Sequence, residues 1–378
     1  MIMTAPKRAK VLETVVVTED LPEYGVKAGE QAVVLEAFDT PEEAYLLELV
    51  DESGTASRIA DWVKPGQIKD VKSAAKEFLE QGFALLQQGD LPAAEKIFKR
   101  AILLHPKTIS NIGESIRRSF ANITGEQDWL TTVRLYEMCF RLAPTHEITR
   151  YNLAVAYHNY GNRLLEAGKF EEALHFFHQA ALATSKPDLS EKIKTSVAAT
   201  FTQLGIQAIA QHDFRAALIN FKWAFAAHTD ETTRSNVARA YFNLAEVCLS
   251  ESNLSEAIGL FEGALLAGYS EPALYNDYAF ALVRVGQIAD AISALEDGYA
   301  LAPDNEILRH NLQMARAAFD DFQREAISAL EVGHALATDN EILQHNHQTT
   351  RTAFDGFQRE AYKLHFESIP TQEYASAA

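Results

Sequence analysis

The sequence predicts a mainly α protein: an α-solenoid of helix pairs preceded by a small β-barrel. Short β-branched segments are confined to residues 12–63, and a large–small–large helical face recurs from residue 71 onward. Glycine (18) and proline (11) are sparse for 378 residues. Their shares, about 5% and 3%, fall below the usual ~7% and ~5% and fit a chain rich in helix and poor in tight turns.

The amino-terminal strands come first. Leu12–Thr18, Gln31–Ala37 and Ala44–Val50 are rich in β-branched and aromatic residues, with turn clusters between them at 22–29, 39–41 and 51–54. Ser57–Val63 makes a fourth strand, and Pro65-Gly66 closes the segment. So few short strands cannot cover two faces of an open sheet, so closure into a barrel is expected. Trp62 is read as a ring closing that barrel's core rather than as a ligand-stacking aromatic. The stretches VVVTEDLPEYGVKAGEQAVVLE and AYLLELVDESGT resemble a small bacterial domain family of uncharacterised function with an SH3-like barrel.

The clearest helical unit is the 34-residue stretch 75–108. Phe78, Gly82 and Leu85 share one face of a first helix, and Gly89-Asp90 turns the chain. Ala94, Phe98 and Ala101 face back from a second helix, and Pro106 ends the unit. Small residues let the helices approach, and large ones fill the gap. The same face returns with Gly161 and Phe177, Gly205 and Phe221, Ala245 and Phe261, and Ala279 and Leu295, and a weak copy ends at Pro144. These copies resemble tetratricopeptide repeat proteins over about three quarters of the chain. The resemblance implies a right-handed, TPR-like solenoid.

The turn positions Gly89, Gln127, Gly168, His212, Ser252, Gly286 and Asp321 are 38, 41, 44, 40, 34 and 35 residues apart. The stretched middle intervals predict the longest first helices between Glu147 and Leu249. Residues 291–325 and 326–360 match at 26 of 35 positions, a near-duplicate that a stack of neighbour-only contacts tolerates. The expected domains are a barrel at 1–70, a solenoid of seven to eight repeats at 71–365 and a flexible tail at 366–378, with a polar linker across 64–74.

The charge balance, 34 Lys+Arg against 52 Asp+Glu, gives a net of −18. That field disfavours nucleic acid and anionic membrane surfaces as partners. Two cysteines exclude a disulfide framework and suit a reducing compartment, so a cytoplasmic location is expected. No signal-peptide core or long apolar run is present. Phosphate-loop, nucleophile-elbow and metalloprotease motifs are absent, and no cofactor is implied. His175 and His178 stand on an outer face without a third ligand, and His345 and His347 point apart on a helix. Cys139 and Cys248 occupy packing slots. The many carboxylates read as a solvated outer surface. These features point away from an enzyme.

What remains is a surface. Tetratricopeptide resemblance implies that successive first helices line a concave groove for a partner's peptide or helix. Carried over by position, its lining would include His158, Asn159, Asn162, Gln203, Arg239, Asn243, Asn276, Asp277, Arg284 and Asn311. Amides suit peptide backbone because each offers a donor and an acceptor. With Arg239 the one permanent charge in the middle repeats, the expected partner is a neutral to basic peptide, not an acidic tail. A self-assembling structural scaffold is the alternative, and the oligomeric state stays open.

Overall fold

The computed structural model describes residues 8–39, 42–50, 56–119 and 126–335. Five strands form an antiparallel sheet: β1 (Thr14–Val17), β2 (Gln31–Phe38), β3 (Ala44–Val50), β4 (Ala56–Val63) and β5 (Ile68–Asp70), in the order β4-β3-β2-β1-β5. Alternation places Ala32, Val34, Tyr45, Leu47, Leu49, Ala60 and Val63 on one face, where they bury a core with Val15, Val17, Leu21 and Val26. The expected barrel is not formed; the sheet is open, with β4 and β5 at its edges. β5 is only three residues long, and its last residue, Asp70, already caps the following helix by accepting from the Ser73 amide. The chain therefore leaves the sheet before it can reach β4. Openness also corrects the placement of Trp62, which is 43% exposed and stacks on Phe38 at 5.4 Å between ring centroids. It lies outside the core, at φ +54°.

Residues 64–74 are not a linker. They supply a 3-10 turn (Pro65–Gln67), β5 and the start of α1, and α1 packs on β1 and β5.

Thirteen α-helices follow among the described residues: α1 (Val71–Gln87), α2 (Leu91–Leu104), α3 (Thr108–Ser119), α4 (Glu126–Leu142), α5 (Glu147–Glu166), α6 (Phe170–Ala183), α7 (Pro187–Ala210), α8 (Phe214–Ala227), α9 (Glu231–Ser250), α10 (Leu254–Leu266), α11 (Pro272–Arg284), α12 (Ile288–Leu301) and α13 (Glu306–Ala335). They pair as a TPR-like solenoid, and the small–aromatic slots explain the pairing. A Cβ built on Gly82, Gly161 or Gly205 would lie 2.4, 2.6 or 2.7 Å from the ring of Phe98, Phe177 or Phe221. Only a hydrogen leaves room for the ring of the second helix. Asp90 and Asp213 start α2 and α8 by accepting from the Ala93 and Ala216 amides, and Asp230 starts α9 with a reciprocal Thr233 cap.

The turns at Gly89, Gly168 and Gly286 have φ of +81°, +74° and +84°. His212 and Ser252 occupy the same slot at +59° and +63°, where a Cβ is disfavoured. Gln127 and Asp321 are not turns; they lie inside α4 and α13. The stretched repeats do have long first helices, since α5, α7 and α9 span 20, 24 and 20 residues against 13 in α11. The longest helix is nevertheless α13, with 30 residues, which runs straight through the expected Asp321 turn. Most of the second duplicate copy and the whole expected tail lie outside the described residues.

The chain divides into two compact units, Met1–Ile193 and Lys194–Ala378. Among the described residues no helix is long and apolar enough to cross a membrane.

Candidate functional site

The expected surface residues divide between the two units. In the first, His158, Asn159 and Asn162 lie on α5. His158 is buried, with its ring 5.8 Å from that of Phe177 and its Nε2 3.5 Å from Asn162 Nδ2. Burial holds its pKa below the ordinary histidine value, partly offset by hydrogen bonds to the Lys192 backbone and to Asn159. This imidazole is a packed, neutral element of the helix pair.

The second unit carries the more unusual chemistry. Its first helices α9, α11 and α13 pack in succession. Asn276 and Asn311 are buried and bonded to each other, with Asn311 Nδ2 donating to Asn276 Oδ1 at 2.7 Å. Asn276 Nδ2 in turn donates to Asp277 Oδ1 at 3.3 Å. These amides clip α11 to α13. Arg284 lies with its guanidinium 5.6 Å from the Phe280 ring centroid. Gln203 on α7 and Arg239 on α9 are exposed.

Asn243 behaves differently. Its side chain is 3% exposed, yet among the described residues neither its amide nitrogen nor its oxygen has a hydrogen-bond partner. A buried amide left unpaired costs about 1–3 kcal/mol, so its retention calls for an explanation. One turn further along the same face of α9 stands Glu246. Burial, then the charge of Asp277 on α11, pushes the Glu246 carboxyl up to about 7. Burial likewise raises Asp277 to about 6, against the hydrogen bond from Asn276.

Glu246 is not among the residues expected from sequence, where the carboxylates read as a solvated surface. The signal was present: it sits three residues after Asn243, on a face already assigned to the surface row. Elsewhere in this unit, a cleft of about 380 Å³ opens between α10, α11 and α12. On its wall, the Tyr278 hydroxyl donates to Glu262 at 3.2 Å.

The thiols offer no nucleophile. Cys139 is fully buried, and desolvation pushes it up to about 12; Cys248 is also buried and raised by desolvation. His175 and His178 are exposed on α6. Among the described residues no three His, Cys, Asp or Glu side chains gather as a metal set.

Comparison with known proteins adds the family. Residues 202–273, which include α8, α9 and α10, match the tetratricopeptide repeat model. This stretch is made of tetratricopeptide repeats. Residues 11–62, which hold β1 to β3 and most of β4, match a domain of unknown function. No curated protein matches the chain.

Solved tetratricopeptide structures resemble it at low identity. One is the TPR2AB-domain complex of yeast Sti1, at 14% identity, covering 64% of this chain and 97% of that one with a TM-score of 0.27. The P58(IPK) TPR domain is 14% identical, covering 76% and 77% with a TM-score of 0.28. A thermophilic TPR protein of Thermus thermophilus, TTC0263, is 16% identical, covering 55% and 99% with a TM-score of 0.22. The tetratricopeptide turns of this chain carry His212 and Ser252 where its other repeats use glycine.

Proposed function

We infer that the chain is a non-enzymatic interaction scaffold whose first-helix faces receive a peptide or helix of a protein partner. The observation that supports this most is the match of residues 202–273 to the tetratricopeptide repeat model, with Gln203 and Arg239 exposed on its helices. Gln203 and Arg239, on α7 and α9, would make the contact, with Arg239 as a charged anchor. A partner segment of neutral to basic character suits a chain of net charge −18, and a cytoplasmic setting suits its two reduced thiols. In this reading residues 1–70 are a separate module, and nucleic acid and membrane surfaces are not partners.

Site-specific photo-crosslinking tests it. A benzoylphenylalanine in place of Arg239 is expected to trap a partner in cell extract. The same probe in place of Glu171, exposed on α6, is expected to trap none. Arg239→Ala should weaken binding of the trapped partner several-fold without moving the melting temperature. Equal trapping at both positions, or unchanged affinity in the variant, would place the partner elsewhere.

A further inference from the structure

The cleft between α10, α11 and α12 lies apart from the first-helix row. Its α11 wall is Tyr275, Tyr278 and Leu282, spaced so that they share one stripe of the helix. Asp277 and Arg284, which belong to the first-helix row, fall roughly opposite that stripe at about 100° per residue. The cleft is thus on the far side of α11, against the second helices α10 and α12.

Two kinds of surface meet in it. Ile258, Leu265, Leu282 and Ala294 are apolar, and the rings of Tyr275 and Tyr278 stand half-buried beside them. Both rings are held by their neighbours. The Tyr278 hydroxyl donates to Glu262 at 3.2 Å. Gly298 brings α12 so near Tyr275 that an added Cβ would lie 2.6 Å from the tyrosine Cβ. The remaining walls are acidic: Glu262 on α10, and Asp290 and Asp297 on α12, all exposed to solvent. Among the described residues no Lys, Arg or His lines the cleft, and none of the three carboxylates has an ion-pair partner. Burial, then the charge and hydrogen bond of Glu262, then the charge of Asp290, push the Tyr278 phenol up to about 12, in keeping with two carboxylates facing one ring.

This lining selects among occupants. The carboxylates and the net charge of −18 repel an anion. A lysine ammonium is a strongly hydrated point charge that matches the acids but not the rings. A guanidinium is planar and weakly hydrated, stacks on aromatic faces and offers five donors to carboxylates, while its stem covers apolar surface. Between Asp290 and Asp297 the α12 wall rises about 10 Å, the reach of roughly three extended residues. Side chains flanking the arginine can therefore lie on the apolar lining.

We propose that this cleft docks an arginine of a partner's peptide, its guanidinium against Tyr275 and Tyr278 and paired with Glu262, Asp290 and Asp297. Aliphatic neighbours of the arginine rest on Ile258 and Leu265. The site is a second docking surface, independent of Gln203 and Arg239.

The test uses the full chain and three labelled peptides: Gly-Ala-Leu-Arg-Leu-Ala-Gly and its analogues with citrulline or lysine in place of arginine. Binding is followed by fluorescence anisotropy at about 0.15 M salt, where long-range attraction is screened. The arginine peptide is expected to bind at least about tenfold tighter than the citrulline one, a difference of about 1.4 kcal/mol, and several-fold tighter than the lysine one. Asp290→Asn with Asp297→Asn should abolish the preference over citrulline, and Tyr275→Leu should reduce the preference over lysine. Glu171→Gln with Glu172→Gln removes the same charge from exposed positions on α6 and should leave both preferences intact, as should Arg239→Ala. No binding of the arginine peptide, equal affinity for any two of the peptides that include it, or a preference surviving in the Asp290/Asp297 variant would overturn the proposal. Loss of the preference in Arg239→Ala would move the arginine to the first-helix row and overturn it too. So would dimerisation of the full chain that the Asp290/Asp297 variant abolishes, which would put a second copy in the cleft. Crosslinking at Arg239 has no bearing on these outcomes, so the two surfaces stand or fall separately.

Discussion

α5 and α9 are first helices of equal length whose inner faces differ by little in sequence and by much in chemistry. Aligned on Gly161 and Ala245, they carry Asn159 and Asn243 in one slot, and Asn162 and Glu246 three residues later. On α5 the polar groups close on themselves: His158 lies against Asn162, bonds to Asn159 and to the Lys192 backbone, and stays neutral. On α9 the polar groups do not close: among the described residues Asn243 is buried without a hydrogen-bond partner, and Glu246 feels the charge of Asp277 with no cation paired to it. Burial of a polar residue therefore does not separate a structural role from a binding one; its partners do. A satisfied amide stiffens a repeat, whereas an unsatisfied buried one costs stability.

The comparison assumes that both helices sit in equally solid cores, and that can be broken first. Phe177 and Phe261 are fully buried ring plugs of α6 and α10. Truncation of either to alanine is expected to cost about 3–5 kcal/mol in chemical denaturation. A much smaller loss for Phe261→Ala would mean that the α9 face is loose, and the orphan amide would then signify mobility.

A contrast between amides comes next. Asn276→Ala strands the buried Asn311 donor, so it should destabilise by about 1–3 kcal/mol. Asn243→Ala removes a group that has no bond to lose and should leave stability unchanged or slightly raised. Equal losses at the two positions would show that Asn243 is partnered in the free protein.

The acid pair makes a prediction about pH. Glu246 titrates near 4.5 when unfolded but at about 7 in the fold. Between those values the unfolded state binds fewer protons, so its stability contribution is full below about 4.5 and declines as pH rises towards 7. Glu246→Gln should flatten this slope and raise the melting temperature at pH 8 relative to the parent. A parent whose melting temperature is flat across that window would show that the carboxyl is hydrated.

The smallest effect concerns the turns. His212→Gly and Ser252→Gly relieve left-handed backbone and should each stabilise by about 0.5–1 kcal/mol. Gly168→Ala, in the same slot of the repeat that holds α5, should destabilise by a similar amount. Opposite signs at the matched positions are the outcome to check by thermal melts.

Much of the solenoid was legible in the chain because its rules are local. Gly82 with Phe98, or Gly161 with Phe177, are partners within one repeat, so spacing along the sequence reports the contact directly. Turn slots were legible for the same reason at Gly89, Gly168 and Gly286, and even at His212 and Ser252. Spacing misplaces the turn at Gln127, the second residue of α4, and at Asp321, where α13 runs straight through. For the sheet, strand positions followed from β-branched runs, but closure depended on where β5 ends.

The sequence alone determined that helix pairs repeat, where most of them turn, and which residues fall on the first-helix face. The tertiary structure decided which of those residues are already engaged. Asn276 and Asn311 look like Asn243 along the chain, yet they meet across 35 residues while the Asn243 amide has no hydrogen-bond partner among the described residues. The same holds for Glu246, whose pKa is raised by its burial in the stack and by Asp277 on another helix. Helix formation and pair packing depend on near neighbours, which periodicity exposes. Satisfaction of a buried polar group and the field at a carboxyl depend on distant neighbours, which only the folded stack brings within reach.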